Sequence, residues 1–158
     1  ARFAELGVIA NLQPFWAQPD RVMRELTIPH IGSSRERWQY RIRAIRDAGA
    51  TVAFGSDWPV STLDWRAAMA TALTRQGPGA APDEVLSAEE RIDATAAFAA
   101  YTTGAARQAG APDRGTLEPG STADLMVLSA DPLTTAPAAP RDVQVLETWV
   151  AGTRVFAR

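Results

Sequence analysis

A chain of 158 residues is long enough for one ordinary domain with a real core. It is 46% hydrophobic and 22% charged, and its 16 basic and 18 acidic residues leave a formal charge of -2, so nothing electrostatic points to nucleic acid or an anionic membrane as a partner. No apolar run approaches the roughly 20 residues that span a bilayer, and the lack of cysteine excludes disulfides and thiolate chemistry while leaving the compartment open.

Residues 2–6 read as the last turn of a helix stopped by Gly7. The start lacks the basic residues and long apolar stretch of a signal peptide, and the chain reads as beginning partway through a longer protein. Residues 8–12 form a short buried strand, ended by Gln13-Pro14 because Pro cannot continue a central ladder. Residues 14–32, with Phe15, Trp16, Pro19, Pro29 and Gly32, are expected as a loop holding a helical turn near 20–25. Ser33-Ser34-Arg35-Glu36 fits a capping box. It should open a helix with Trp38, Ile42 and Ile45 as one apolar stripe, closed by Gly49. The arginines between Arg35 and Arg46 are then a solvated face.

Residues 51–54 are a second buried strand, which runs into Gly55-Ser56-Asp57-Trp58-Pro59. A helix over 64–75 buries Trp65, Ala68, Met69, Ala72 and Leu73 before Gly77-Pro78-Gly79 breaks the chain. Ser87-Ala88-Glu89-Glu90 reads as another capping box, opening an Ala-rich helix to about residue 101, with a short helix over 103–109 behind it. Strand and helix alternate, the signature of parallel α/β architecture. Beyond Gly110 the composition turns to Gly and Pro. A strand over 124–128, a Pro-rich loop over 131–140 and β runs over 144–150 and 153–157 follow, the last two joined by Ala151-Gly152 as a hairpin. The chain thus divides into residues 1–110 and residues 111–158, the second part too small to hold a core alone.

Catalytic groups of parallel barrels sit at the C-terminal ends of strands, and Asp57 stands just past the apolar run 51–54. A carboxylate there can bind a cation and accept a proton from an activated water. An Asp after a strand is, by itself, more often a helix cap or a loop-stabilising residue. The stretch Gly49-Ala50-Thr51-Val52-Ala53-Phe54-Gly55-Ser56-Asp57-Trp58-Pro59-Val60 resembles the last barrel strand of the amidohydrolase superfamily. It is most similar to the branch called amidohydrolase family three, which includes N-substituted formamide deformylases. Residues 8–14 resemble that family's seventh strand, and residues 67–75 the helix after its Asp strand. Tyr101-Thr102-Thr103-Gly104-Ala105-Ala106 and the run from Gly115 to Leu128 resemble its exit into a small β domain, and residues 148–155 its last hairpin.

The resemblance implies an α/β fold: the C-terminal portion of a metal-dependent-hydrolase (β/α)8 TIM barrel in residues 1–110, and the C-terminal part of a composite β-sandwich in 111–158. It implies hydrolysis of a carbon–nitrogen, amide-like bond in a small molecule. It implies one or two divalent metals, zinc being the usual one, with Asp57 as metal-site residue and proton shuttle. The family's His-x-His pair, its bridging acid or carboxylated Lys and its single His ligands have no counterpart in this chain, and His30 matches none of them. The chain taken alone is therefore expected to be catalytically incomplete, holding no metal, or to be a binding or assembly module. Its expected partner is the missing N-terminal part of the same protein or a second copy of itself. Gln13, Phe15 and Trp16 follow the seventh strand and can face substrate, with packing of the two aromatics under the loop as the alternative. His30 reads as a loop or rim histidine, with substrate contact as its alternative. Trp58 either covers the metal pocket or wedges between barrel and helix. Ser56 orients its turn rather than acting as a nucleophile, since no base lies nearby in sequence. Asp124 is structural.

Overall fold

A computed structural model describes residues 2–158. Helix α1 (Arg2–Glu5) ends at Gly7 and strand β1 (Ala10–Leu12) follows. Parallel strands need a crossover connection, supplied here by helices α2 (Ile28–Ile31), α3 (Ser33–Glu36) and α4 (Ile42–Asp47). Strand β2 (Val52–Phe54) then pairs in parallel with β1, Ala10 opposite Val52, Asn11 opposite Ala53 and Leu12 opposite Phe54.

The crossover departs from its sequence reading in two places. The expected loop contains a π-helical segment, Met23–Thr27, that runs directly into α2, so Pro29 and His30 lie on a helix. Asp20 starts this run by accepting from the Met23 N–H (2.7 Å), and Pro29, which has no N–H to give, lies where the π segment passes into α2. The expected helix over 33–49 is also broken. Tyr40 takes a left-handed φ of 51°, and Trp38 lies exposed rather than in a buried stripe with Ile42.

The break has a tertiary cause. Arg75 is fully buried, and its guanidinium donates to the carbonyls of Tyr40 (3.0 Å), Gln39 (3.3 Å) and Leu86 (2.8 Å). A continuous helix would consume the Gln39 and Tyr40 carbonyls internally. The start of α4 is capped from afar, the Ala44 N–H donating to Glu90 Oε2 at 3.0 Å while Arg41 donates to Oε1 at 2.6 Å. Glu90 therefore does not close a local capping box. Ser87 makes no cap bond, and only a 3-10 turn, Ala88–Glu90, forms there.

Helix α5 (Trp65–Thr74) forms as its sequence predicts, with Asp64 accepting from the Arg66 N–H at 3.0 Å. Helix α6 (Ala94–Ala99) is capped by Asp93, which accepts from the Ala96 N–H. It continues through a π segment, Ala100–Gly104, into α7 (Ala105–Gln108) without the expected gap. One face of the β1–β2 pair, carrying Leu12, Val52 and Phe54, packs on Met69, Ala72, Ala97 and Ala100 of these helices. Phe54 meets Tyr101 edge-on with ring centres 5.3 Å apart, and Trp65 meets Phe98 at 6.3 Å.

The tail is an antiparallel sheet in the order β3 (Leu125–Leu128), β4 (Val145–Val150), β5 (Thr153–Ala157). Ala151 and Gly152 both have positive φ, the mirror-image turn that matches strand twist in a two-residue hairpin. Arg66 donates to the Val143 carbonyl (2.8 Å) and Arg141 to that of Gln76 (3.1 Å), fastening the tail to α5.

Candidate active site

Asp57 lies just beyond the C-terminal end of β2, exposed, with a left-handed φ of 51°. Asp tolerates that region better than most residues, and such backbone collects at functional turns. The turn is held by other groups. Ser61 Oγ donates to the Ser56 carbonyl (2.7 Å), Ser56 Oγ accepts from the Trp58 N–H (3.2 Å), and the Val60 N–H donates to the Asp57 carbonyl (2.9 Å). Ser56 thus orients the turn, and the turn's own bonds leave the Asp57 carboxylate out. Trp58 does not wedge into the body of the fold, since 62% of it is exposed beside Asp57.

The parallel register puts Gln13 and Gly55 at the same level, one step past Leu12 and Phe54. Gln13 and Asp57 therefore belong to the same rim of adjacent strands. Gln13 Nε2 donates to Asn11 Oδ1 (3.0 Å), and Asn11 Nδ2 donates to Gln108 Oε1 (2.8 Å). Trp16 and Phe15 are half-buried on the turn Pro14–Trp16, beside the fully buried Ala17 that joins the core with Met69 of α5. His30 is exposed on α2 and donates from Nδ1 to the Leu26 carbonyl one turn back (2.6 Å), so its helix rather than the strand rim engages it. Asp124 is structural, accepting from Arg114 (2.6 Å) and from the Ala151 N–H (2.8 Å) at the hairpin.

Sequence reasoning missed Asn11, Gln108 and Arg75. A polar residue inside a short strand was the available signal for Asn11, whereas Gln108 and Arg75 matter only through partners far along the chain. Burial lowers the Arg75 pKa to about 10, with Glu90 opposing the shift, so it remains a cation at neutral pH. Burial first, then the Asp64 carboxylate, pushes the Tyr101 phenol above its ordinary range, which keeps it neutral. A cavity of about 740 Å³ lies between α6 and the tail sheet, and Asp57 is not among its lining residues. Its lining is mostly apolar, and its carboxylate, Asp124, is already bonded to Arg114 and to the Ala151 N–H.

A family model described as amidohydrolase family matches residues 1–156. The chain belongs to this amidohydrolase family. It is 32% identical over 163 residues to the N-substituted formamide deformylase of Arthrobacter pascens, an alignment covering 99% of this chain and 28% of that protein. It is 32% identical to Protein LONG AFTER FAR-RED 3 of Arabidopsis thaliana, covering 98% of this chain and 26% of that one. It superposes on a metal-dependent hydrolase from Pyrococcus horikoshii OT3 with a TM-score of 0.72 and 29% identity, covering 86% of this chain and 27% of that one. This amidohydrolase chain thus spans about a quarter of the length of the curated relatives it matches, 28% and 26%. Among the described residues, no group of three or more His, Cys, Asp or Glu side chains could hold a metal ion. Asp57, exposed and outside its turn's hydrogen bonds, suits one oxygen donor of such a site and does not make a site alone.

Proposed function

We propose that the protein of which this chain is a part hydrolyses the carbon–nitrogen bond of a small amide-like substrate with a divalent metal, zinc being the family's usual ion, and that Asp57 transfers the proton. In this reading residues 1–110 end a (β/α)8 barrel and residues 111–158 complete part of a β-sandwich. The observation that carries it is the placement of Asp57: an exposed carboxylate at the C-terminal end of a parallel strand, its turn held by Ser56, Ser61 and backbone groups. Membership of the amidohydrolase family and the likeness to a formamide deformylase support the bond type.

A divalent metal, when bound, supplies an activated water at neutral pH and polarises the carbonyl. The work of this chain is proton transfer and positioning. Asp57 takes a proton as water attacks the carbonyl carbon and returns it to the departing amine nitrogen, so that amine and carboxylic acid leave neutral in net proton count. The left-handed turn holds the Asp57 backbone at the strand end, and in this reading Gln13, on the neighbouring strand's rim, and Trp58 contact the substrate. His30 has no part in this reading.

The test is hydrolysis of a panel of N-alkyl formamides, including N-butylformamide, by the full-length protein supplied with zinc. Asp57→Asn should lower kcat by about 10²–10⁴-fold, the usual contribution of a positioned acid–base group, with an unchanged melting temperature. Turnover by the variant close to the wild-type rate, or no hydrolysis of any formamide by the wild type, overturns the reading.

A further inference from the structure

We propose that Asn11 and Gln108 are positioning residues for Gln13, holding its carboxamide at the strand rim so that its oxygen accepts the N–H of a secondary amide substrate. This rests on the hydrolase reading above and adds to it what selects an amide over an ester.

The strand pair has two unlike faces. Leu12, Val52 and Phe54 point into the helix-packed core. Residues alternate along a strand, so Asn11 and Gln13 share the opposite face, with Asn11 exposed. Gly55 belongs to this face too, and a Cβ built there would lie 3.7 Å from Asn11 Oδ1, in ordinary contact with the amide, which places Gly55 and Asn11 side by side on it. Gln108, 97 residues away in the chain, reaches the same face from the end of α7 and binds Asn11 at 2.8 Å. It gets there because the helical run before it lies directly on β2, a Cβ on Gly104 falling 2.2 Å from the Val52 carbonyl oxygen.

The result is a directional chain of amides. Gln108 accepts from Asn11, and Asn11 accepts from Gln13. One N–H of the Gln13 carboxamide is thereby used, and its oxygen has no side-chain donor among the described residues at the rim of the strand pair, level with Gly55. A free glutamine loses side-chain freedom when it binds a ligand, and a glutamine already tethered by its amide nitrogen loses less. A secondary amide offers one N–H on the nitrogen that becomes the leaving group, whereas an ester offers none. A site built to bond an N–H disfavours the analogue that lacks it.

The experiment compares N-butylformamide with butyl formate on the full-length protein. Gln13→Leu and Asn11→Leu should each lower kcat/KM for the amide about three- to tenfold, the size of one neutral hydrogen bond, through KM, and change the ester less than twofold. Gln108→Leu should do the same to a smaller degree, Gln108→Glu should restore KM because it keeps the acceptor, and the double variant Asn11→Leu with Gln108→Leu should be no worse than Asn11→Leu alone. Equal losses on amide and ester, additive losses, or a lowered melting temperature with unchanged kcat/KM overturn the proposal. If Asp57→Asn abolishes turnover while these variants treat the two substrates alike, this inference alone fails; if Asp57→Asn hydrolyses the amide normally, the hydrolase reading fails first.

Discussion

At the scale of single residues, Gly104 shows how one missing atom places a helix. Its Cα lies so near the Val52 carbonyl that an alanine methyl would sit 2.2 Å from the oxygen, and 3.3 Å from the Ala99 carbonyl. Two opposing terms act on Gly104→Ala. Alanine improves helix propensity by about 1 kcal/mol, and the overlap with a rigid backbone acceptor costs about 1–3 kcal/mol or forces α7 away from β2. The overlap is below any real contact, so the second term wins. Urea denaturation should show the variant destabilised, and an equal or higher midpoint would contradict the packing. Arg75 works in the opposite sense, by supplying atoms. Its buried guanidinium binds three carbonyls from two other segments, which explains both the left-handed Tyr40 and the split between α3 and α4.

At the scale of elements, the caps divide into local and distant ones. Asp64 and Asp93 cap the helices that follow them directly, as short side chains beside a helix start do. Burial raises the Asp64 pKa, but its bonds to the Arg66 side chain and N–H outweigh this and leave the carboxyl below its ordinary value of 3.8. The folded value lies below the unfolded one, so the stability from ionised Asp64 is present above about pH 4 and lost as pH falls through the folded value. Asp64→Ala should cost about 1 kcal/mol at pH 7 through the lost cap. Asp64→Asn retains a cap oxygen and should differ from wild type less at pH 2 than at pH 7. A constant difference in urea midpoint between the two pH values would show that the ion pair with Arg66 does not contribute. Glu90 is the distant case, since it serves α4 rather than the helix its own sequence context suggests.

At the scale of the whole molecule, two surfaces stand uncovered. The groove of about 740 Å³ between α6 and the tail sheet is lined by Phe98, Leu125, Met126, Leu128, Leu133 and Trp149 among others. Strand β5 is exposed along its length, with Val155 60% and Phe156 46% accessible. Unpaired strand edges and contiguous apolar surface favour association. The 158-residue chain alone should therefore self-associate with rising concentration in sedimentation velocity. Val155→Lys on the outer strand should weaken that association. A monomer at all concentrations would refute the expectation.

The sequence by itself determined what depends on near neighbours: the strands β1 and β2 from their apolar runs, α5 from Asp64 and its buried stripe, the Ala151-Gly152 hairpin, and the place of Asp57 just past β2. The motif around Asp57 also carried the amidohydrolase resemblance that the family match bears out. Tertiary structure alone decided the break at Tyr40, the distant use of Glu90, the helical setting of His30 and the Gln13–Asn11–Gln108 chain. The physical reason is the range of the interactions. Propensity, capping and turn geometry act within a few residues, whereas a buried guanidinium or carboxylate takes whichever acceptor or donor the fold delivers, here from segments tens of residues away.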